Sequence, residues 1–234
     1  MPRPKALVAW SSGKDSAWAL HEVRRAGALD VVGLLTTVTS EFCRVSMHAV
    51  REELLDRQAA SLGLPCRKVR IPWPCPNEAY EAAMAVALEE ARAGGVTRVV
   101  FGDLFLEDVR AYRVAKLAGT GIEPEFPLWG RDTARLAREM IEGGLRATLT
   151  CVDPRQLDGA FAGRAFDEAL VAELPPAVDP CGERGEFHTF AWAGPMFERP
   201  IPVERGEVVT RDGFVFADLL PDARGPGAIQ PHRG

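Results

Sequence analysis

The chain has 234 residues, 47% of them apolar and 26% charged, enough for one large domain or two small ones with a real core. A net charge of −5 argues against a protein that binds nucleic acid over a broad surface. Five cysteines, none spaced as Cys-x-x-Cys, argue against a disulfide framework or a zinc site. No stretch approaches the roughly 20 apolar residues of a membrane span, and the short apolar run behind Met1–Lys5 fits no signal peptide, so the expectation is a cytoplasmic protein.

Ala6–Trp10 is uniformly apolar and reads as a buried strand. It ends abruptly in Ser11-Ser12-Gly13-Lys14-Asp15-Ser16, and a run of helix formers to Ala26 follows, with Gly27 as the stop. Val31–Val38 is a second strand, and the polar segment Thr39–Met47 leads into a helix over His48–Leu62. Cys66–Ile71 is a third strand. A rigid Pro72–Pro76 loop precedes a long helix, Glu78–Ala93, with Asn77 as its expected cap. Arg98–Phe101 is a fourth strand, and Gly102-Asp103 sits just past its end. This β-α-β-α-β-α-β order predicts a parallel sheet with helices on both faces, whose ligands bind beyond the strands' C-terminal ends. Ser11–Ser16, the segment Thr36–His48 and Gly102-Asp103 all fall on that edge.

Glu107–Leu117 follows as a helix, Ile122–Trp129 as a Pro-broken extended segment, Asp132–Ile141 as a helix capped by Asp132, and Leu145–Val152 as a strand. A turn and a helix from about Phe166 end at Pro175-Pro176. Thr189–Ala193 and Glu207–Ala217 then read as strands without intervening helices, with a hairpin turn at Arg211-Asp212-Gly213. The change of pattern predicts two domains, an α/β domain over 1–125 and a smaller α+β domain over 126–220, followed by a disordered Pro/Gly-rich tail over 221–234.

Three constellations carry chemistry. A strand, a Ser-Ser-Gly-Lys-Asp-Ser turn and a helix N-terminus together suit a phosphate, because free N–H groups and a positive dipole end converge there. The alternative is an ordinary capped turn. Lys14 favours the phosphate, since a cation in a helix's first turn is unfavourable without an anion to offset it. Gly102-Asp103 with its acidic and Arg-containing helix is either a wet-faced amphipathic segment or a nucleotide or metal site. Asp179–Thr189 packs carboxylates, Cys181 and His188 into one Gly-rich turn; the alternative is a polar hairpin loop. Glu183 and Glu186 suit holding a cation or orienting ammonia, and His188 suits shuttling a proton. Cys181 is either a nucleophile or a small buried apolar residue.

The first turn resembles the PP-loop of the ATP pyrophosphatase superfamily, written S-G-G-x-D-S. Ser12 stands where that pattern has glycine, at a cost of about 1 kcal/mol if the position needs a positive φ. With Gly102-Asp103-Leu104, Glu123-Pro124-Glu125-Phe126-Pro127-Leu128-Trp129 and Cys181-Gly182-Glu183-Arg184-Gly185-Glu186-Phe187-His188-Thr189 in this order, the chain resembles the diphthine–ammonia ligase family. The resemblance implies an adenine nucleotide α-hydrolase-like (HUP-type) domain and a C-terminal domain that helps form the acceptor site. It implies that ATP activates a carboxylate as an acyl adenylate, and that ammonia then gives an amide with release of AMP and pyrophosphate. On this reading Ser11, Ser12, Gly13, Lys14, Asp15, Ser16, Thr36 and Gly102 bind the nucleotide. Asp15 organises magnesium. His48, Asp103, Gly182, Glu183 and Glu186 serve the acceptor, and Lys14, Asp15, Glu183, Glu186 and His188 serve the chemistry. The acceptor is a small or protein-bound carboxylate, the elongation factor if the host is archaeal or eukaryotic. Neither membrane nor nucleic acid is expected as a partner, and a homo-oligomer is compatible with the sequence. The competing functions are tRNA thiolation, which wants a cysteine pair such as Cys151 and Cys181 at the strand edge, and an ATP-binding sensor without turnover.

Overall fold

The computed structural model describes residues 2–41, 44–45 and 50–222. The expected acceptor residue His48 and residues 223–234 of the expected tail lie outside the described residues. Strand β1 (Lys5–Ala9) leads through the Ser-rich turn into helix α1 (Lys14–Ala26), which begins two residues before the expected Ser16 and ends on left-handed Gly27 (φ 65°). β2 (Asp30–Thr39), the two-residue β3 (Arg44–Val45), α2 (Glu52–Leu62), β4 (Cys66–Ile71), α3 (Asn77–Ala93), β5 (Val96–Val100), α4 (Glu107–Leu117) and β6 (Glu123–Glu125) follow. Asn77 does not cap α3. It is the helix's first residue, and its side-chain amide donates to Glu81 instead.

The parallel strands lie in the order β4-β2-β1-β5-β6, with β3 antiparallel to the end of β2 through Val38↔Val45. β2 and β4 build outward on one side of β1, and β5 and β6 on the other. The strand order therefore reverses at β1, and the crevice of an open α/β sheet forms at such a reversal, beyond the strand ends. This is the HUP-type arrangement the sequence led us to expect. The extended segment after α4 contributes β6 as a parallel edge strand against β5.

The second half comprises α5 (Thr133–Glu142), β7 (Arg146–Val152), α6 (Glu168–Glu173), β8 (Phe187–Ala193), β9 (Val203–Arg211) and β10 (Phe214–Pro221). Asp132 caps α5 by accepting the Arg135 N–H at 2.8 Å. The strands form an antiparallel sheet in the order β8-β7-β10-β9. β10 carries pairing through Pro221↔Val203, so the strand takes the first residue of the expected tail.

The larger of two hydrophobic clusters runs through both halves, while the smaller packs α3 on the parallel sheet. The larger joins Trp10, Trp18 and Leu20 from the first to Leu136, Met140, Phe166 and Phe190 from the second. Each such side chain, fully buried, stabilises by about 1.5–3 kcal/mol relative to exposure. The seam is also hydrogen-bonded: the Ala191 N–H donates to the Ser12 carbonyl at 2.9 Å, and the Arg24 guanidinium reaches the carbonyls of Met196 and Leu62. The second sheet packs against α1 through β8 and against α2 through β10.

Candidate active site

The Ser-rich turn alternates between two environments. Ser11 lines the mouth with the buried Ser16 behind it, their hydroxyls 3.2 Å apart, and Ser11 Oγ accepts the Gly13 N–H at 3.3 Å. Ser16 Oγ also donates to the Gly13 carbonyl at 3.0 Å. Gly13 is the residue before α1 and makes no side-chain cap; the dipole of such a helix N-terminus favours an anion, although the Lys14 N–H is already taken by Thr189 Oγ1. Ser12 turns the other way. It is fully buried at φ 70°, its Oγ has no hydrogen-bond partner, and its carbonyl is held by the Ala191 N–H and the Gln58 side-chain amide. The departure from the glycine pattern thus falls on a position that does need a positive φ.

Lys14 is a correction to the reading in which its ammonium faces pyrophosphate. Its side chain is 2% exposed and turns into the seam. Nζ donates to both oxygens of Asp15, at 2.9 and 2.8 Å, and to the Cys181 carbonyl, and it lies 5.5 and 5.4 Å from the ring centres of Phe166 and Phe187. Burial alone would lower its pKa, but Asp15 reverses the shift and holds the lysine charged. The Lys14 N–H is taken by Thr189 Oγ1 at 3.1 Å. The PP-loop and the Cys181–Thr189 motif, distant in sequence, are thereby stitched together at one residue.

Gly102 packs on the same turn. A Cβ there would sit 2.8 Å from the Asp15 carbonyl carbon and 2.9 Å from the Ser16 nitrogen, so only glycine lets the end of β5 lie against α1. Asp103 is held in a bidentate pair by Arg113 (2.6 and 3.0 Å), which itself stacks 4.5 Å above Phe101. Its carboxylate positions α4 rather than standing free for a ligand. Thr36 lines the mouth, but its hydroxyl is spent on the Trp10 carbonyl at 2.8 Å, joining β1 to β2.

The motif residues divide likewise. Gly182 (φ 68°) is structural: a Cβ would meet the Phe187 carbonyl oxygen at 2.9 Å. Glu186 is buried, and its two oxygens accept the N–H groups of Asp179 and Arg184, both at 2.9 Å, so it closes its own loop rather than holding a cation or ammonia. Asp179 does the same from the other end, accepting from the Cys181 and Glu183 N–H groups. His188 and Thr189 belong to β8, not to the loop. Burial pushes the His188 imidazole down to about 4, with Lys14 adding to the shift, so it is neutral at pH 7 and poorly matched to proton shuttling there. Cys181 is buried, its thiol donates to the Thr133 carbonyl at 3.4 Å, and burial pushes it far above the ordinary thiol range. Cys151 is pushed up to about 12 by burial as well. Neither is the accessible thiolate that thiolation chemistry needs.

Glu183 is different. One oxygen accepts the Leu104 N–H at 2.8 Å, and no described residue bonds to the other. Burial, with Asp15 and Asp103 nearby, raises it to about 7, against the pull of that N–H and of Lys14. A carboxyl so placed has the value that acid–base chemistry near neutral pH calls for.

Two residues escaped the sequence reading. Gln58 of α2, wholly buried, accepts from Trp10 Nε1 (2.9 Å) and donates to the carbonyls of Ser12 (3.0 Å) and Ala191 (2.7 Å). In sequence it is one polar residue among several on a helix; only its i+1 and i−3 apolar neighbours, Ala59 and Leu55, hint that it faces inward. Arg113 is likewise unmarked except by its spacing from Asp103.

Beside the loop lies a cleft of about 1420 Å³, lined by Ser11, Thr36, Thr37 and Phe101 from the sheet edge and by Tyr80 and Tyr112 from the helices. That exceeds the roughly 300–1,000 Å³ of ordinary ligand pockets and accommodates a nucleotide. For magnesium, no group of three or more His, Cys, Asp or Glu side chains converges among the described residues. Asp15, whose side chain is 27% exposed although both oxygens accept from Lys14, is the carboxylate of the turn that could contribute to a magnesium ion of the usual kind, which takes one or two carboxylates and completes its shell with substrate phosphates and water.

A HUP-type sheet with a PP-loop at its reversal point, joined to a carboxylate-bearing second loop, defines an ATP pyrophosphatase-type ligase that forms amides. Residues 4–120 match the family model described as the diphthamide synthase N-terminal domain, and residues 132–217 match the diphthamide synthase C-terminal domain. The chain is 31% identical over 243 residues to the diphthine–ammonia ligase of Bos taurus, covering 93% of this chain and 88% of that protein. The Homo sapiens protein of the same name is 30% identical with the same coverage, and that of Danio rerio is 28% identical over 89% of this chain and 90% of its own length. The chain belongs to the diphthine–ammonia ligase family. Among the described residues no helix is long and apolar enough to cross a membrane.

Proposed function

We propose that this ligase adenylates the carboxylate of diphthine carried on a protein, and that ammonia displaces AMP to leave the amide. The observation that supports it most is the direct junction of the PP-loop with the Cys181–Thr189 motif through Lys14. On this reading Glu183, raised to about 7 with Asp15 and Lys14 among its charged neighbours, serves the phosphate end of the nucleotide site. A carboxylate is a poor electrophile, and AMP supplies the leaving group it lacks.

In this mechanism the α1 N-terminus and the Ser11 and Ser16 hydroxyls hold the leaving pyrophosphate. Thr36 and the cleft walls hold the nucleoside. Asp15 would hold magnesium, which when bound would supply charge neutralisation at the phosphates. Lys14 acts through Asp15, fixing that carboxylate and tying the acceptor loop to it. Glu183 uses its unbonded oxygen to take a proton from ammonium, so that the attacking nitrogen carries a lone pair. Packing of the second sheet keeps bulk water from the acyl adenylate. The cytoplasm supplies the ATP, the ammonium and the protein acceptor this chemistry needs.

The test is release of AMP and pyrophosphate from ATP with ammonium and a diphthine-bearing elongation factor. Acceptor-dependent AMP is expected. Asp15→Ala is expected to abolish it, and undiminished release in that variant refutes the assignment.

A further inference from the structure

Arginines around the reactive edge are paired with carboxylates almost wherever they occur. Arg113 holds Asp103, Arg98 holds Glu123 and Glu125, and Arg131 holds Glu139. Two exposed arginines break this pattern. The Arg184 guanidinium lies 5.3 Å over the Phe105 ring, and that of Arg110 lies 4.7 Å over Trp129 and 5.3 Å over Phe126. Among the described residues neither has a carboxylate at ion-pair distance, although Glu107 and Asp108 are within one turn of Arg110. Stacking on rings fixes a guanidinium in place while leaving its N–H donors unspent.

Their positions converge on one turn. The loop that carries Arg184 is bonded to Leu104 through Glu183 at 2.8 Å, and the segment that carries Trp129 is bonded to the Leu104 carbonyl through the Gly130 N–H at 2.8 Å. Arg110 itself is bonded through its N–H to the Leu106 carbonyl at 3.0 Å. Arg184 is thus stacked on a residue of the turn 103–106, and Arg110 on a segment bonded to that turn at Leu104. Neither lines the cleft beside Ser11 and Thr36. An anion bound by them is not in the cleft's nucleotide position.

We infer that Arg110 and Arg184 form a clamp for the carboxylate of the acceptor, a second anion site separate from the nucleotide cleft. The inference rests on the amide-ligase reading, which requires the acceptor's carboxylate to approach Glu183, the carboxylate of this edge left without a cation at ion-pair distance among the described residues, since Lys14 holds Asp15 and Arg113 holds Asp103. Repulsion there disfavours the substrate unless cations meet it first. Paired arginines elsewhere on the surface are already neutralised and cannot serve.

The experiment has two arms. In the first, side-chain Nε–H resonances of nitrogen-labelled full-length protein are followed by NMR during titration with glutarate, a small dicarboxylate, and separately with pyrophosphate. Glutarate is expected to move the Arg110 and Arg184 signals, with pyrophosphate leaving them in place. Movement by pyrophosphate instead assigns the pair to the nucleotide's phosphates, and movement by neither leaves only surface stacking; both overturn the clamp. In the second arm, Arg184→Gln and Arg110→Gln are compared in AMP release with the diphthine-bearing factor. The loss of a charge-assisted contact is expected to raise the acceptor KM about tenfold per variant, with the ATP KM and thermal midpoint unchanged and partial recovery in Arg184→Lys. Unchanged acceptor KM in both Gln variants overturns the inference. If glutarate binds but the wild-type enzyme releases no AMP with that acceptor, the clamp stands and the diphthine reading falls.

Discussion

The two sides of the PP-loop differ more than its sequence suggests. On the mouth side Ser11, Gly13 and Ser16 are bonded mostly to one another, at 3.0–3.4 Å, and Ser11 lines the cleft. On the seam side Ser12 and Lys14 are buried, and the Ser12 carbonyl and the Lys14 N–H and ammonium are committed to Gln58, Ala191, Cys181, Asp15 and Thr189. The side facing the nucleotide is held loosely, and the side facing the protein is held hard. A loop that must cradle phosphates without collapsing needs both, and the charged residue its motif makes conspicuous serves the second purpose.

The sharpest test of that division is Lys14→Met. On the seam side the change strands Asp15 and the Cys181 carbonyl, so it is expected to destabilise the protein by about 3 kcal/mol in urea unfolding, as loss of one partner of a buried pair does. AMP release should fall with it. A variant that loses activity but keeps its full stability would move Lys14 back to the mouth. Glu183→Gln probes the mouth side. It is expected to slow amide formation from ammonium about a hundredfold, the scale of general-base catalysis, and to spare turnover with hydroxylamine, which is already neutral near pH 7. In the wild type, amide formation should rise as pH passes through about 7, where Glu183 loses its proton. The sign for stability is opposite. The folded state holds that proton more tightly than the unfolded chain, so the contribution is present below the ordinary carboxylate range and is lost as pH rises through about 7. Glu183→Gln should flatten both profiles.

Gln58→Leu deletes three seam hydrogen bonds at once, and a loss of about 2 kcal/mol is expected from the unsatisfied Trp10 and carbonyl groups it leaves. The smallest effect has the opposite direction. Ser12→Gly removes a positive-φ side chain and an orphaned hydroxyl, and should stabilise by about 1 kcal/mol in calorimetry while leaving AMP release intact. A drop in ATP affinity there would show that the hydroxyl reaches the mouth after all.

Features written within a few residues were legible. The apolar run of β1, the abrupt polar turn, the stop at Gly27 and the Asp132 cap are local, and local physics decides them. The meeting of three polar segments on one sheet edge followed from strand order alone. What could not be read depends on partners far along the chain. Lys14 looks like a phosphate ligand until Cys181 and Phe166 surround it. Asp103 looks free until α4 brings Arg113 back onto it. Glu186 and Glu183 look equivalent, yet one satisfies its own loop and the other keeps an oxygen unspent. β6 was hidden because Pro124 disfavours a strand reading, although an edge position tolerates proline.

The core shared between the two sheets has an evolutionary consequence. Trp10 and Trp18 are covered from the far half of the chain, and Gly143 lies so close to Trp18 that an added Cβ would sit 2.5 Å from its ring. Exchanging one half for that of another ligase would leave these surfaces mismatched, so new acceptors cannot be acquired by recombination at the middle of the chain. They have to come from point changes at exposed positions such as Arg110 and Arg184, which carry no part of the core.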